Sequence, residues 1–143
     1  MRRGRAPCAR PDHVNEINPT KPSLSTGTGV GAVHLGVTDR ERAIGFYREV
    51  VGLELMADDA ESASLGVDGN ELVAVHAGAA RAVAEGTTGL YHLAIVVPTR
   101  KELARVIARL ISIRYDHSPT DHVLTKSDYL WDPDGNGIEL YRD

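Results

Sequence analysis

Cysteine and long apolar runs are scarce or missing in this 143-residue sequence. Cys8 is the only cysteine, so an intramolecular disulfide and a cysteine-based metal site are both excluded. No apolar run approaches the roughly 18 residues that a membrane-spanning helix needs, and no basic stretch followed by an apolar one begins the chain as a signal peptide would. We therefore expect a cytoplasmic protein that does not bind membranes.

Basic residues are also outnumbered by acidic ones in residues 30–143, the part of the chain whose apolar pattern predicts a folded domain. Residues 30–143 carry eleven Lys or Arg against eighteen Asp or Glu. Nucleic-acid binding needs clustered basic charge, so we expect no nucleic-acid partner for this part. Residues 1–29 contain five basic residues and four prolines without apolar periodicity. They predict a disordered tail, with a basic arm or an Arg-rich targeting leader as the alternative.

The sequence from residue 30 onward shows one pattern twice, in a first module at about 30–78 and a second at about 90–143, joined by a linker at about 79–89. Each module begins with an alternating apolar strand. A capping box follows, Thr38-x-x-Glu41 or Thr99-x-x-Glu102, and leads into an apolar stripe at helical spacing. Each module therefore begins as a strand followed by a helix.

Three further strands complete each module, and an Asp-Gly-Asn turn precedes the last of them in both. Two β-α-β-β-β modules are too few for a solenoid, so we expect an α+β fold in which both modules form one curved-sheet domain around a shared cavity. The predicted strands after the helices lie at residues 53–57, 62–67, 71–77, 112–116, 122–131 and 137–142. The turn between the last two strands, residues 132–137, is dense in Asp, Pro, Gly and Asn.

Two histidines and one glutamate occupy corresponding places in this pattern. His34 and His92 lie on the first strand of each module, and Glu139 lies on the last strand, where period two puts it opposite Ile138 and Leu140. Two histidines and a carboxylate form a facial triad that suits Fe(II), Mn(II) or Zn(II). The small neighbours Gly36, Ala94 and Gly137 would leave room for a metal and a ligand. The alternative for each residue is an ordinary hydrogen-bonded or solvated side chain.

Both halves of the chain also resemble one known family. Residues 33–37, 43–53, 90–95 and 132–141 look like the conserved segments of the vicinal oxygen chelate superfamily, which includes glyoxalase I, bleomycin-resistance proteins and extradiol dioxygenases. The resemblance covers about residues 30–143 and is closest to the catechol 2,3-dioxygenase-like branch. It implies an Fe(II)-dependent oxidoreductase that cleaves a small catecholic, vicinal-oxygen substrate.

The resemblance also implies roles for individual residues. It assigns His34, His92 and Glu139 as metal ligands, with Mn(II), Zn(II) or Ni(II) as alternatives to Fe(II). Tyr129 would hydrogen-bond near the bound catecholate or oxygen, and His122 and His76 would act as base and acid. Single-domain relatives often dimerise, side by side or by exchanging modules, so we expect a homodimer.

Some alternatives stay open at the level of sequence. Counting from the Asp-Gly-Asn turns places Val73 opposite Glu139 and sends His76 to the other face, whereas counting along the small-residue face groups His76 with Leu72 and Ala74. Neither Val73 nor Ala74 can act as the fourth-strand carboxylate of glyoxalase I, which disfavours a metal-dependent isomerase or lyase.

A bleomycin-resistance-type binding protein without turnover remains the main alternative. Many extradiol enzymes are twice this length, and the chain could resemble either half. His117 is expected in a solvated loop.

Overall fold

The computed structural model describes residues 24–84, 86–121 and 125–143. Residues 1–23, most of the predicted tail, lie outside this part, as does His122. All regular elements of the described ranges lie in the unit Gly31–Asp143. In chain order they are β1 (Val33–Val37), α1 (Arg40–Gly45) with a π-helical continuation (Phe46–Val51), β2 (Glu54–Asp58), β3 (Ser62–Val67), β4 (Asn70–Ala77), β5 (Leu93–Val96), α2 (Arg100–Ile113), β6 (His117–Asp121), β7 (Lys126–Trp131) and β8 (Gly137–Arg142).

The described strands form two four-stranded sheets with the same topology. Their orders are β1-β4-β3-β2 and β5-β8-β7-β6. In each sheet the first strand pairs in parallel with the last, and the remaining pairs are antiparallel. The predicted α+β fold of two β-α-β-β-β modules is therefore confirmed. No helix in the described ranges has the length and apolar character that crossing a membrane requires.

The two helices begin with different caps. Thr99 caps α2 as expected, its hydroxyl accepting a hydrogen bond of 3.2 Å from the Glu102 N–H. The predicted cap of α1 at Thr38 is wrong by one residue, because the Asp39 carboxylate accepts the Arg42 N–H at 3.0 Å instead. Thr38 donates both its N–H and its hydroxyl to Asp134, 96 residues away, so it is committed to a tertiary contact.

The strand predicted at residues 112–116 is also wrong. α2 continues to Ile113 and ends at Arg114, whose positive φ of 54° makes a left-handed cap, and β6 begins only at His117. Ile111 and Ile113 favour strands by their β-branched side chains. That preference is weaker than the gain of one hydrogen bond for each residue added to an existing helix, and no Gly or Pro interrupts α2.

One apolar core lies between the helices and one face of each sheet. It includes Leu35 and Val37 of the first module and Ile138 and Leu140 of the second. The modules also meet through aromatic rings and through buried polar groups. The ring centroids of Phe46, in the first module, and Tyr115, in the second, lie 5.6 Å apart. His34 and Glu139 alternate with these core residues along β1 and β8, so each lies on the face of its sheet that points away from the common core.

The β7–β8 turn is the polar part of this junction. Asp132 is only 5% exposed and accepts hydrogen bonds from the Tyr47 hydroxyl at 3.1 Å and from the backbone N–H groups of Asp134 and Asn136. Tyr47 belongs to the π-helical segment of the first module, which ends where Gly52 adopts a φ of 97°. A turn in one module is thus hydrogen-bonded to the helix of the other.

Candidate metal centre

The first module brings two histidines together on its outer sheet face. His34 Nδ1 lies 2.8 Å from His76 Nε2, and the two rings stack at 20° with centroids 5.1 Å apart. The β1–β4 register pairs His34 with Ala74 and Gly36 with His76, so both histidines share one face. Of the two registers that the sequence left open, the structure has the one that groups His76 with Leu72 and Ala74.

The second module brings a histidine and a carboxylate together. His92, immediately before β5, has its Nε2 3.0 Å from Glu139 Oε2. The other carboxylate oxygen, Oε1, accepts hydrogen bonds from Ser127 Oγ at 2.6 Å and Tyr129 Oη at 2.7 Å. The carboxylate is thus anchored through one oxygen while the other faces the imidazole. This arrangement favours coordination of a cation through a single carboxylate oxygen.

The contact between Tyr129 and Glu139 also affects the phenol. The pKa of Tyr129 is raised, chiefly because its hydroxyl donates to Glu139, and desolvation and the nearby negative charge add to the shift. Tyr129 therefore remains a hydrogen-bond donor at neutral pH. Its hydroxyl holds the carboxylate in this structure, whereas its predicted contact with a catecholate or oxygen stays a prediction.

Ser127 is a site residue that sequence reasoning missed. It is 2% exposed, lies two residues before Tyr129 on β7, and pairs with Tyr141 while Tyr129 pairs with Glu139. The shared parity of Ser127 and Tyr129 would have revealed it, because residues i and i+2 of a strand point to the same side.

The three predicted ligands and the predicted catalytic residue His76 lie in two pairs. Across the described ranges, no three His, Cys, Asp or Glu side chains come together in a way that could hold a metal ion. One pair is His34 with His76, and the other is His92 with Glu139. Imidazole nitrogens and a carboxylate oxygen are a suitable donor set for Fe(II), Mn(II) or Zn(II), so the chemistry of these groups fits a divalent cation. The structure does not bring all three predicted ligands together within one chain.

A cavity of about 380 Å³ adjoins the His92–Glu139 pair. Its lining residues all belong to the second module or the segment leading into it: Tyr91, His92, Ser118, Thr120, Tyr129, Leu130, Trp131 and Gly137. Tyr91 is 89% exposed and Trp131 is 50% exposed. Exposed aromatic rings beside hydroxyl groups form a surface suited to a small planar molecule or to an apolar partner surface.

The sequence suggests that Gly137 leaves room for a metal and a ligand, whereas in the structure it allows two segments of the chain to pack closely. A Cβ added there would lie 2.9 Å from the Tyr91 carbonyl oxygen and 3.2 Å from His92 Cβ. The glycine is therefore needed for the close approach of β8 to the chain before β5. At Gly36 the nearest atom to an added Cβ is Ala79 Cβ at 3.7 Å, an ordinary contact.

On the prediction that His92 ligates a cation, replacing Gly137 with alanine is expected to displace His92 and lower the affinity for Co(II) or Fe(II) by about ten-fold, because metal sites tolerate little displacement of a ligand. Gly45→Ala, where an added Cβ meets no atom within 4 Å, is the matched control and should bind metal as tightly as the wild type. Titration with Co(II), followed by visible absorbance, measures both. Equal affinity in the Gly137 variant and the wild type would contradict the proposed place of His92 in the site.

His117 and the buried Asp128 form a pair that the sequence did not predict. His117 Nδ1 lies 2.9 and 2.8 Å from the two carboxylate oxygens of Asp128, which is fully buried. The prediction of a solvated loop for His117 is wrong, because the residue begins β6 and pairs with Leu130 of β7. Asp128 alternates with Ser127 and Tyr129 along β7, so this pair lies on the other face of the sheet from Glu139.

The fold agrees with the comparison to known proteins. A model of the Glyoxalase/Bleomycin resistance protein/Dioxygenase superfamily matches residues 29–140. The chain belongs to this superfamily. A catechol-2,3-dioxygenase from Bacillus subtilis (strain 168) is 37% identical over 124 residues, which cover 85% of this chain and 44% of that protein. The chain therefore spans less than half the length of this relative.

Solved structures show the same fold at lower identity. A glyoxylase/bleomycin resistance protein/dioxygenase domain from Frankia sp. EAN1pec is 20% identical with a TM-score of 0.68, covering 83% of this chain and 98% of that one. Lactoylglutathione lyase from Agrobacterium tumefaciens is 19% identical with a TM-score of 0.65, covering 82% and 95%. The fosfomycin resistance protein FosX from Listeria monocytogenes, solved with Mn(II) and sulfate, is 17% identical with a TM-score of 0.62, covering 81% and 93%.

Proposed function

We propose that His34, His92 and Glu139 bind one divalent cation, and that the protein is an Fe(II)-dependent extradiol-type dioxygenase acting on a small catecholic compound. The observation that carries the proposal is the His92–Glu139 pair, whose carboxylate is held by Ser127 and Tyr129 beside an open cavity. The Bacillus subtilis relative, named as a catechol-2,3-dioxygenase, supports the choice of reaction. Fe(II), when bound, would supply the coordination of catechol oxygens and of dioxygen.

The surrounding side chains have separate tasks in this proposal. Because His34 Nδ1 contacts His76, His34 Nε2 is the nitrogen available to ligate the cation. His76 fixes the orientation of His34 and is placed to accept or donate a proton beside it. Tyr91 and Trp131 offer aromatic faces on which a catechol ring can pack. The role predicted for His122 concerns a residue outside the described part.

A binding protein without turnover is the second candidate. It is favoured by the position of His76, which is paired with His34 rather than with the His92–Glu139 pair beside the cavity. An isomerase or lyase is less favoured, because the outer face of β4 presents Leu72, Ala74 and His76 and no carboxylate. A cytoplasmic location is part of the dioxygenase proposal, since the reducing cytoplasm keeps iron as Fe(II). A homodimer is also part of it.

Protein loaded anaerobically with Fe(II) and then given air and catechol is expected to consume oxygen and form a yellow ring-cleavage product. His92→Ala should lose both signals, because one ligand of the cation is gone. An oxygen electrode and visible absorbance measure the two. Protein loaded with Zn(II) is the matched control and should be inactive.

The alternatives give different results in the same samples. A catechol that raises the melting temperature but is never consumed would support the binding protein. Turnover that needs no oxygen and proceeds with Zn(II), Ni(II) or Co(II) would support the isomerase. Either result would contradict the dioxygenase.

A further inference from the structure

We propose that the cavity beside Glu139 selects catechols whose ring substituents carry no negative charge, and that Ser118 is the residue that meets the substituent. The proposal rests on the proposed function, because it names the substrate class of the same site. Ser118 lies on β6, the edge strand of the second sheet, and lines the cavity.

The outer face of the second sheet, which carries Glu139, has very little charge. The register places Ser118 opposite Tyr129 and Tyr129 opposite Glu139, so these side chains form one row across three strands. Residues that alternate with the core point to this face. Across the described strands β5 to β8 they include one Asp, Glu, Lys or Arg, which is Glu139. The fixed charge of this face is therefore negative.

The basic residues of the second module lie elsewhere. Lys126 and Arg142 face each other across β7 and β8 and alternate with Ser127 and Tyr141, so they point to the other side of the sheet. Lys126 is also paired with Asp121. The remaining ones belong to α2 or to its cap: Arg100, Lys101, Arg105, Arg109 and Arg114. Among the described residues, no Lys or Arg lines this cavity.

The cavity offers uncharged donors and ring faces instead. Ser127 and Tyr129 each have one hydroxyl proton, and both donate it to Glu139. Ser118 adds a hydroxyl from β6, and Trp131 adds an aromatic ring. Hydroxyl groups bond to uncharged polar substituents, and ring faces pack against apolar ones. Both kinds of contact suit a neutral catechol.

A negatively charged substituent would be penalised twice at the Ser118 end of the row. Two strand spacings place Ser118 about 10 Å from Glu139, a distance comparable to the length of a substituted benzene ring. A carboxylate there would lose part of its hydration without gaining a cationic partner, and Glu139 would repel it. The two hydroxyls of every catechol meet the same His92–Glu139 end, so they do not distinguish one catechol from another.

Binding measurements test the proposal without turnover. Full-length protein loaded with Zn(II) is titrated with catechol, 3,4-dihydroxybenzoate and the methyl ester of 3,4-dihydroxybenzoate, and calorimetry measures each affinity. The ester is the matched control for the acid, because both carry an electron-withdrawing group of similar size and only the acid is charged. We expect the ester to bind at least about thirty-fold more tightly than the acid.

Ser118→Arg is the complementary test, because it places a cation where the substituent should lie. It should raise the affinity for 3,4-dihydroxybenzoate by about ten-fold and change that for the ester by less than about two-fold. Ser118→Gln is the matched control, long but uncharged, and should keep the wild-type preference. Ser118 is exposed on an edge strand, so both variants should fold, and circular dichroism verifies this. Thr120→Lys charges the same face if Ser118→Arg does not fold.

The outcomes separate failure of this proposal from failure of the dioxygenase. Equal wild-type affinity for acid and ester would overturn the charge selection, and so would a Ser118→Arg variant that binds the acid no better than Ser118→Gln. Oxygen uptake by Fe(II)-loaded protein is measured in parallel. Preference for the ester without oxygen uptake would support the selection and overturn the dioxygenase. Equal uptake with low concentrations of acid and ester would do the reverse, and binding of none of the three compounds would overturn both.

Discussion

Glu139→Gln is expected to lower the affinity for Fe(II) or Co(II) by more than about a hundred-fold. Loss of a side chain that only hydrogen-bonds to a metal ligand already lowers metal affinity by about ten- to a hundred-fold, and loss of a ligand itself should lower it further. Glutamine retains the shape of glutamate and can still accept the hydrogen bonds from Ser127 and Tyr129. The fold should therefore change little, and the loss of affinity reports the loss of the anionic ligand. Co(II) titration by absorbance and calorimetry measures the effect.

Two further variants make this experiment specific. Ser127→Ala removes one of the two hydroxyls that hold Glu139 Oε1 and should lower affinity by about ten-fold. Glu71→Gln changes an exposed carboxylate on β4 and should have no effect. If Glu139→Gln bound Co(II) as tightly as Glu71→Gln, Glu139 would not be a ligand.

Asp132→Ala is expected to lower the free energy of unfolding by about 3–5 kcal/mol, because it removes a buried carboxylate that accepts several hydrogen bonds. Its Oδ1 accepts the N–H groups of Asp134 at 2.9 Å and Asn136 at 2.8 Å. Its Oδ2 accepts the Tyr47 hydroxyl at 3.1 Å and the Asn136 side-chain amide at 2.8 Å. Urea denaturation followed by circular dichroism measures the change.

Tyr47→Phe is the matched control for the cross-module part of this effect. Burial, with the charge and hydrogen bond of Asp132 added, raises the pKa of Tyr47, so its hydroxyl stays protonated and donates throughout the ordinary pH range. Removing that one donor should cost about 1 kcal/mol. A loss in Asp132→Ala no larger than in Tyr47→Phe would contradict the central role of the aspartate in the turn.

Features that depend on local patterns could be predicted. Alternating apolar residues located β1 and β5, and Thr99 followed by Glu102 located the start of α2. The Asp-Pro-Asp-Gly-Asn-Gly turn located the β7–β8 hairpin, and parity along β8 separated Glu139 from Ile138 and Leu140. Strand alternation and turn chemistry act over a few neighbouring residues, so one sequence is enough to read them.

Features that depend on distant partners could not be predicted. The start of α1 moved to Asp39 because Asp134 binds Thr38 from the far end of the chain. The face occupied by His76 depended on the register between β1 and β4, and a slip of one residue would reverse it. His117 was assigned to a loop because its partner, Asp128, becomes its neighbour only when β6 and β7 pair.

The sequence by itself determined the two modules, the superfamily and the kinds of donor atoms that a metal would meet. Only the tertiary structure decided how those donors are grouped, with His34 beside His76 and His92 beside Glu139. The physical reason lies in the junction between the modules. Symmetric strand positions predict which residues correspond, but the buried contacts of Tyr47 and Thr38 with the β7–β8 turn decide which sheet faces share a core.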